Sequence, residues 1–202
     1  MDIRNDPELK RVFDEMAQSS FGVSLRPEQS SAIVDIFSMA NGTKGLYPSA
    51  YLLIQRTGGG KSLVRNMLGR ALRGVTWTLT PLLALSADQV ASMKIYIENS
   101  EGDPFMKTYN LDTYNGENDI NGLKKDLMAI GNDTKKFISI FASPGRMSKD
   151  EWMIELFLDL LNKGTLRLFC VDEIHEAINQ ALFYRKSNYS KLIVSRGRYP
   201  KK

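Results

Sequence analysis

From residue 50 to residue 172, short apolar runs rich in β-branched and aromatic residues alternate with stretches of helical spacing. The runs are "AYLLIQ" from Ala50, "VTWTLT" from Val75, "MKTYNL" from Met106, "KFISIFA" from Lys136 and "LRLFCVD" from Leu166. Helical patterns start near Lys61, Pro81, Asp119 and Lys149. Such alternation predicts an α/β fold, a parallel sheet with helices on both faces. Ahead of it, "PELKRVFDEMAQ" and "PEQSSAIVDIFSMA" predict two helices, the second with Pro27 suited to a first turn. "NGTKGLYPS" between them and the first run is a loop by composition. No repeat, low-complexity tract or long linker divides the chain. Its 202 residues, 43% hydrophobic, fill one core.

The first strand-to-helix junction reads "LLIQRTGGGKSLVRNML". Where a strand enters a tight loop and the loop enters a helix, the loop N–H groups and those of the first helical turn converge on one point, which favours an anion. Glycine is needed wherever a side chain would block the phosphate. Gly58, Gly59 and Gly60 stand at those places, Lys61 can reach β- and γ-phosphates, and the Ser62 hydroxyl can complete a Mg²⁺ shell. The general pattern G-x-x-x-x-G-K-[ST] fails at its first position, where Gln55 stands. A flexible glycine turn beside a solvated lysine is the plain alternative.

The last apolar run ends in Asp172 and Glu173. In a parallel sheet the strand ends at one edge carry the ligand site, so this pair and the glycine loop can face one nucleotide. Asp172 can hold Mg²⁺ through its water shell while Glu173 orients or deprotonates an attacking water. An acidic helix start after a strand, favoured by the helix dipole, would look the same.

Composition narrows the partners and the compartment. A formal net charge of +4 permits an anionic partner without the density of a basic tail. One cysteine, Cys170, cannot form an intramolecular disulfide, and one histidine, His175, makes structural zinc implausible. "MDIRNDPELKRVFDEM" carries charges where a signal peptide needs an apolar centre, and no stretch approaches the ~20 apolar residues of a membrane span. The expectation is a soluble intracellular protein with no membrane partner, nuclear if its source is eukaryotic.

Taken in order, these segments resemble the first motor domain of superfamily-two helicases, and within that group the RecQ-type DNA helicases. "FGVSLRPEQSSAI" resembles the family's N-terminal motif, whose glutamine, here Gln29, hydrogen-bonds the adenine edge with an arginine, here Arg26, nearby. "TGGGKS" stands unaltered from Thr57 to Ser62, and RecQ proteins also lack the first glycine of the general pattern. "TLTPLLALSADQV" is similar to the segment that touches the DNA backbone, with Thr80 in place of serine. "FASPGRM" resembles a Pro-Glu-Arg segment with Gly145 at the glutamate position, and "VDEIHEAINQ" resembles the DExH box with Ile174 where alanine is usual.

The resemblance, over about residues 8 to 190, implies a RecA-like P-loop domain that uses ATP and Mg²⁺. It places Arg26, Gln29, Thr57, Gly58, Gly59, Gly60, Lys61 and Ser62 on the nucleotide, Ser62 and Asp172 on the metal, and Lys61, Asp172 and Glu173 in catalysis. Pro81, Leu82 and Arg146 would meet single-stranded or forked DNA, and His175 and Gln180 would couple it to hydrolysis. It divides the chain into N-terminal helices carrying the glutamine motif, 1–49, and the ATP-binding domain, 50–202, expected to lack its final strands and a second motor domain. Without that domain's arginine finger, a stabiliser typically worth about 10³ to 10⁵ in rate, slow or no hydrolysis is expected. Gln180 is followed by Ala181, where RecQ proteins carry a tryptophan that couples DNA binding to hydrolysis. A catalytically inert nucleic-acid or protein interaction module is therefore the alternative function. A small-molecule P-loop kinase fits the glycine loop and leaves Gln29, Arg26 and "DEIH" without a role.

Overall fold

The structure, a computed structural model, describes residues 6–41, 51–55, 58–80, 106–114, 117–130 and 137–174. Helix α1 (Pro7–Phe21) starts on Pro7 behind Asp6, whose carboxylate accepts from the Glu8 and Leu9 N–H groups, and stops at Gly22 in the left-handed region. Helix α2 (Pro27–Asn41) also opens on proline. Then come α3 (Lys61–Leu72), β1 (Gly74–Leu79), β2 (Met106–Asn110), a 3₁₀ turn (Leu111–Thr113) and α4 (Glu117–Ile130). The chain continues through β3 (Phe137–Ala142), α5 (Pro144–Met147), α6 (Glu151–Asn162) and β4 (Leu166–Val171).

The four strands form one parallel sheet in the order β2-β3-β1-β4. Each face is covered by its own helices, as the alternation predicted. On one face Val75, Trp77, Leu79, Ile138 and Ile140 pack against α4 and α6, with the Trp77 ring edge-on to Phe157 at 5.4 Å. On the other, Phe13, Ala17, Ile33, Val34, Met67 and Leu68 from α1, α2 and α3 make a second cluster that Leu168 of β4 joins. Helix α3 lies close on this second face. A Cβ at Gly69 would stand 2.9 Å from both the Phe137 ring and the Thr76 hydroxyl.

The expected strand "AYLLIQ" is corrected. Residues 51–55 form no strand, and Leu52 and Ile54 are 67% and 82% exposed. β1 already has β3 on one side and β4 on the other, and Leu53 alone of this segment packs onto the α1–α3 cluster. An apolar run shows that residues tend to be buried; it does not supply the partner strand that pairing requires. The helix expected near Pro81 lies outside the described residues, and the one expected near Asp119 starts at Glu117.

Candidate functional site

Because α3 leads directly into β1, its N-terminus lies over the C-terminal ends of the parallel strands. That edge collects the glycine loop, the end of β4 and the turns after β2 and β3. Gly60 is the N-cap of α3 at φ 88°, with no side-chain cap, and no acidic residue stands in the first turn. The α3 N-terminus thus keeps its partial positive charge for an anion, unlike α1, which Asp6 caps. The Gly60 carbonyl accepts the Leu63 N–H at 3.0 Å, so the helix starts tightly on the loop.

Two side chains brace the loop. Lys61 Nζ donates to the Gln55 carbonyl at 3.2 Å, tying the loop's two ends together. Gln29 Nε2 donates to the Gly59 carbonyl at 3.2 Å, while Gln29 Oε1 accepts the Arg26 N–H at 2.9 Å. Gln29 is buried at 4% exposure, and Ser62 is exposed. An open groove of about 620 Å³ runs between the first turn of α2, at Pro27, Glu28 and Ser31, and residues 51–55, ending at Gln55.

Asp172 follows β4 directly, and its N–H pairs with the Leu79 carbonyl at 2.8 Å, fixing it beside the end of β1. Asp172 Oδ1 accepts the Glu173 N–H at 3.1 Å, and Glu173 sits at φ 50°, a left-handed conformation uncommon for a residue with a Cβ. Both are half-buried. Sequence reasoning missed Arg65, one helical turn past Lys61. Its guanidinium is buried and lies 4.8 Å over the Phe141 ring. Phe141 and Cys170 share a row through Thr78, and Asp172, just past the end of β4, lies two residues beyond Cys170. Burial lowers the Arg65 pKa, and the Cys170 sulfur and the Asp172 carboxylate act against that shift. Burial in turn pushes the Cys170 thiol up to about 11, so it is protonated at neutral pH and Asp172 is the counter-charge Arg65 meets. No signal in the sequence marks it: an arginine four residues after Lys61 reads alike buried or solvated, and only the structure places it among the buried positions Val64, Asn66 and Met67.

Further along the same edge, Asp112 accepts the Ser143 N–H at 2.9 Å and the Ser143 hydroxyl at 2.7 Å, joining the turns after β2 and β3. Arg146 is engaged within this network: it donates to the Tyr114 carbonyl at 2.8 Å and its Nε stands 2.5 Å from Asp150 Oδ2. Thr57, Pro81, Leu82, His175 and Gln180 lie outside the described residues. Among the described residues no group of three or more His, Cys, Asp or Glu side chains could hold a metal, and no helix is long and apolar enough to cross a membrane.

Over 151 residues, 74% of its length, the chain is 27% identical to a protein of Caenorhabditis elegans named putative ATP-dependent DNA helicase Q1. It is 26% identical over 151 residues to the protein of the same name from Caenorhabditis briggsae. This is distant homology to a RecQ-like helicase region. The chain spans 21% of the length of either relative, and no family model matches it. The parallel sheet with helices on both faces is consistent with a RecA-like domain.

Proposed function

We propose that this chain is the ATP-binding motor domain of a RecQ-like DNA helicase, coupling ATP hydrolysis to unwinding when joined to the rest of its motor. The observation that carries the proposal is the uncapped N-terminus of α3 behind a glycine loop, at the sheet edge where Asp172 and Glu173 end β4. Gly58, Gly59 and Gly60, with Thr57, offer backbone N–H groups to the phosphates. Lys61 exchanges the Gln55 carbonyl for the β- and γ-phosphates. Arg26 and Gln29 flank the nucleotide from the start of α2, and the groove ending at Gln55 is where a base attached to those phosphates would lie.

A Mg²⁺ ion fits the donor set. Ser62 and Asp172 would provide hard oxygen ligands, and a site with one carboxylate, completed by substrate phosphates and water, is typical of this ion. Bound there, it would neutralise charge on the β- and γ-phosphate oxygens. Glu173 would orient the attacking water and accept its proton, aided by its fixed backbone. Pro81, Leu82 and Arg146 would meet a DNA backbone, and His175 and Gln180 would report nucleotide state to it. For Arg146 that requires leaving Asp150 for a phosphate.

The test is binding of a fluorescent ATP analogue with Mg²⁺, with and without single-stranded DNA, to the wild type and to Lys61→Ala. Wild-type binding that Lys61→Ala abolishes is expected. No nucleotide binding by the wild type, with DNA binding retained, would replace the proposal with the interaction module, for which the exposed Leu52 and Ile54 beside the loop offer an apolar surface.

A further inference from the structure

Threonine recurs at every second place along β1 and just past its end, at Thr76, Thr78 and Thr80, and all three hydroxyls are buried with no hydrogen-bond partner among the described residues. Alternation turns them toward α3, away from the face of Val75, Trp77 and Leu79. What lies above each one differs. Gly69 stands over Thr76, and Arg65 stands over Phe141, the β3 partner of Thr78, so α3 runs back along the strand. Four helical residues advance about 6 Å and two strand residues about 6.6 Å, so one more step brings Lys61 and Ser62 above Thr80. The ladders also continue one residue beyond the strands: the Thr80 N–H donates to the Ala142 carbonyl at 3.1 Å and the Asp172 N–H to the Leu79 carbonyl at 2.8 Å. Thr80 is therefore level with Asp172, one strand spacing of about 4.8 Å away. The Asp172 carboxylate lies on the α3 side, where it acts on both Arg65 and Cys170.

A buried hydroxyl left unpaired weakens a fold, and of the three only Thr80 stands level with a carboxylate at the candidate site. A carboxylate that holds a metal is in turn held by hydrogen bonds from the groups behind it. We propose that Thr80 is a positioning residue for the cation: its hydroxyl donates to the Asp172 carboxylate when Mg²⁺ is bound and fixes that carboxylate toward the ion. This rests on the nucleotide and Mg²⁺ site proposed above. Asp172 Oδ1 already accepts the Glu173 N–H, which leaves Oδ2 for the threonine, and a hydroxyl proton rotates to meet such an acceptor.

The experiment is titration of the full chain with Mg²⁺ in the presence of a fluorescent ATP analogue, alongside binding of the analogue in EDTA, for wild type, Thr80→Val, Thr80→Ser and Thr76→Val. Thr80→Val keeps the shape of the side chain and removes the hydroxyl. It should bind the analogue in EDTA as the wild type does, yet need about ten- to a hundredfold more Mg²⁺ to strengthen that binding half-maximally. Thr80→Ser restores a donor and should recover most of that loss. Thr76→Val removes an equally buried, unpaired hydroxyl farther from the site and should leave the Mg²⁺ dependence unchanged. Thr80→Ala carries the same test if Thr80→Val does not fold. Wild-type Mg²⁺ dependence in the folded variant, or an equal loss of binding with and without Mg²⁺, would overturn the positioning role. A folded wild type that does not bind the analogue would overturn the nucleotide site itself, and wild-type binding that Mg²⁺ does not strengthen would overturn the cation site; both results are distinct from those of the variants.

Discussion

Arg65 is a buried cation beneath the candidate phosphate site, and its energetic link to Asp172 can be measured. Phe141 beneath Arg65 and Asp172 are two strands across and two residues along the sheet from each other, so strand spacing and rise allow a charge separation of about 8–12 Å, for which Coulomb's law at an effective dielectric near 20 gives about 1–2 kcal/mol. The contact with the Phe141 ring adds about 1–2 kcal/mol in a desolvated setting. Arg65→Met loses both and regains the several kcal/mol of desolvation that burying a guanidinium costs, so its own effect on stability is small. The informative quantity is the coupling in a double-mutant cycle with Asp172→Asn. Urea unfolding of wild type, both single variants and the double variant, without Mg²⁺ or nucleotide, should give a coupling of about 1–2 kcal/mol. With the carboxylate neutralised, the guanidinium has lost its counter-charge, so Arg65→Met should be less destabilising in the Asp172→Asn background than in the wild type. Additivity within about 0.5 kcal/mol would refute the link.

Helix α3 sits on the sheet through Gly69, where Phe137 and Thr76 leave no room for a side chain. Gly69→Ala gains about 1 kcal/mol of helix propensity against an overpacking cost of about 1–3 kcal/mol, so a net loss of about 1 kcal/mol is expected, and Gly69→Val should cost clearly more; thermal melts check both. The Asp126 carboxylate on α4 accepts from the Tyr109 hydroxyl and pairs with Lys107 at 2.7 Å. Partial burial raises its pKa, but the bonds from Lys107 and Tyr109 outweigh that and leave it below the ordinary value. A depressed folded pKa means that this stability is present above the ordinary aspartate range and is lost as pH falls through the folded value. Melting between pH 6 and pH 3 should therefore fall less steeply in Asp126→Asn, by about 1 kcal/mol or less for a pair this exposed. Burial, then the bond to Asp126, raises the Tyr109 phenol, so stability should also decline as pH climbs past the ordinary phenol range.

Sequence and structure part company where side chains choose partners. Asp172 at the end of an apolar run, and Lys61 with Ser62 at a helix start, were legible because each is defined by its own strand or helix end. Arg65 was not, since a cation four residues past Lys61 looks the same whether it faces water or Phe141 and Asp172. Arg146, which the resemblance sets against DNA, is held by the Tyr114 carbonyl and Asp150. The sequence places Asp150 four residues beyond Arg146, yet only the turn after β2 explains why that arginine lies where it does.

Local pattern alone determined four strands, the helices α3, α4 and α6 and the parallel character of the sheet, because β-branched runs and helical spacing record burial within a single segment. Pairing is a non-local choice, and only the tertiary structure decided it. The order β2-β3-β1-β4 places β1 between β3 and β4 and leaves residues 51–55 outside the sheet, despite an apolar content higher than that of β1 or β2. The same holds for Gln29. Its place three residues after Arg26 is written in the chain, but that its amide spans from the start of α2 to the Gly59 carbonyl follows from how α2 packs beside α3, bringing together residues 30 positions apart.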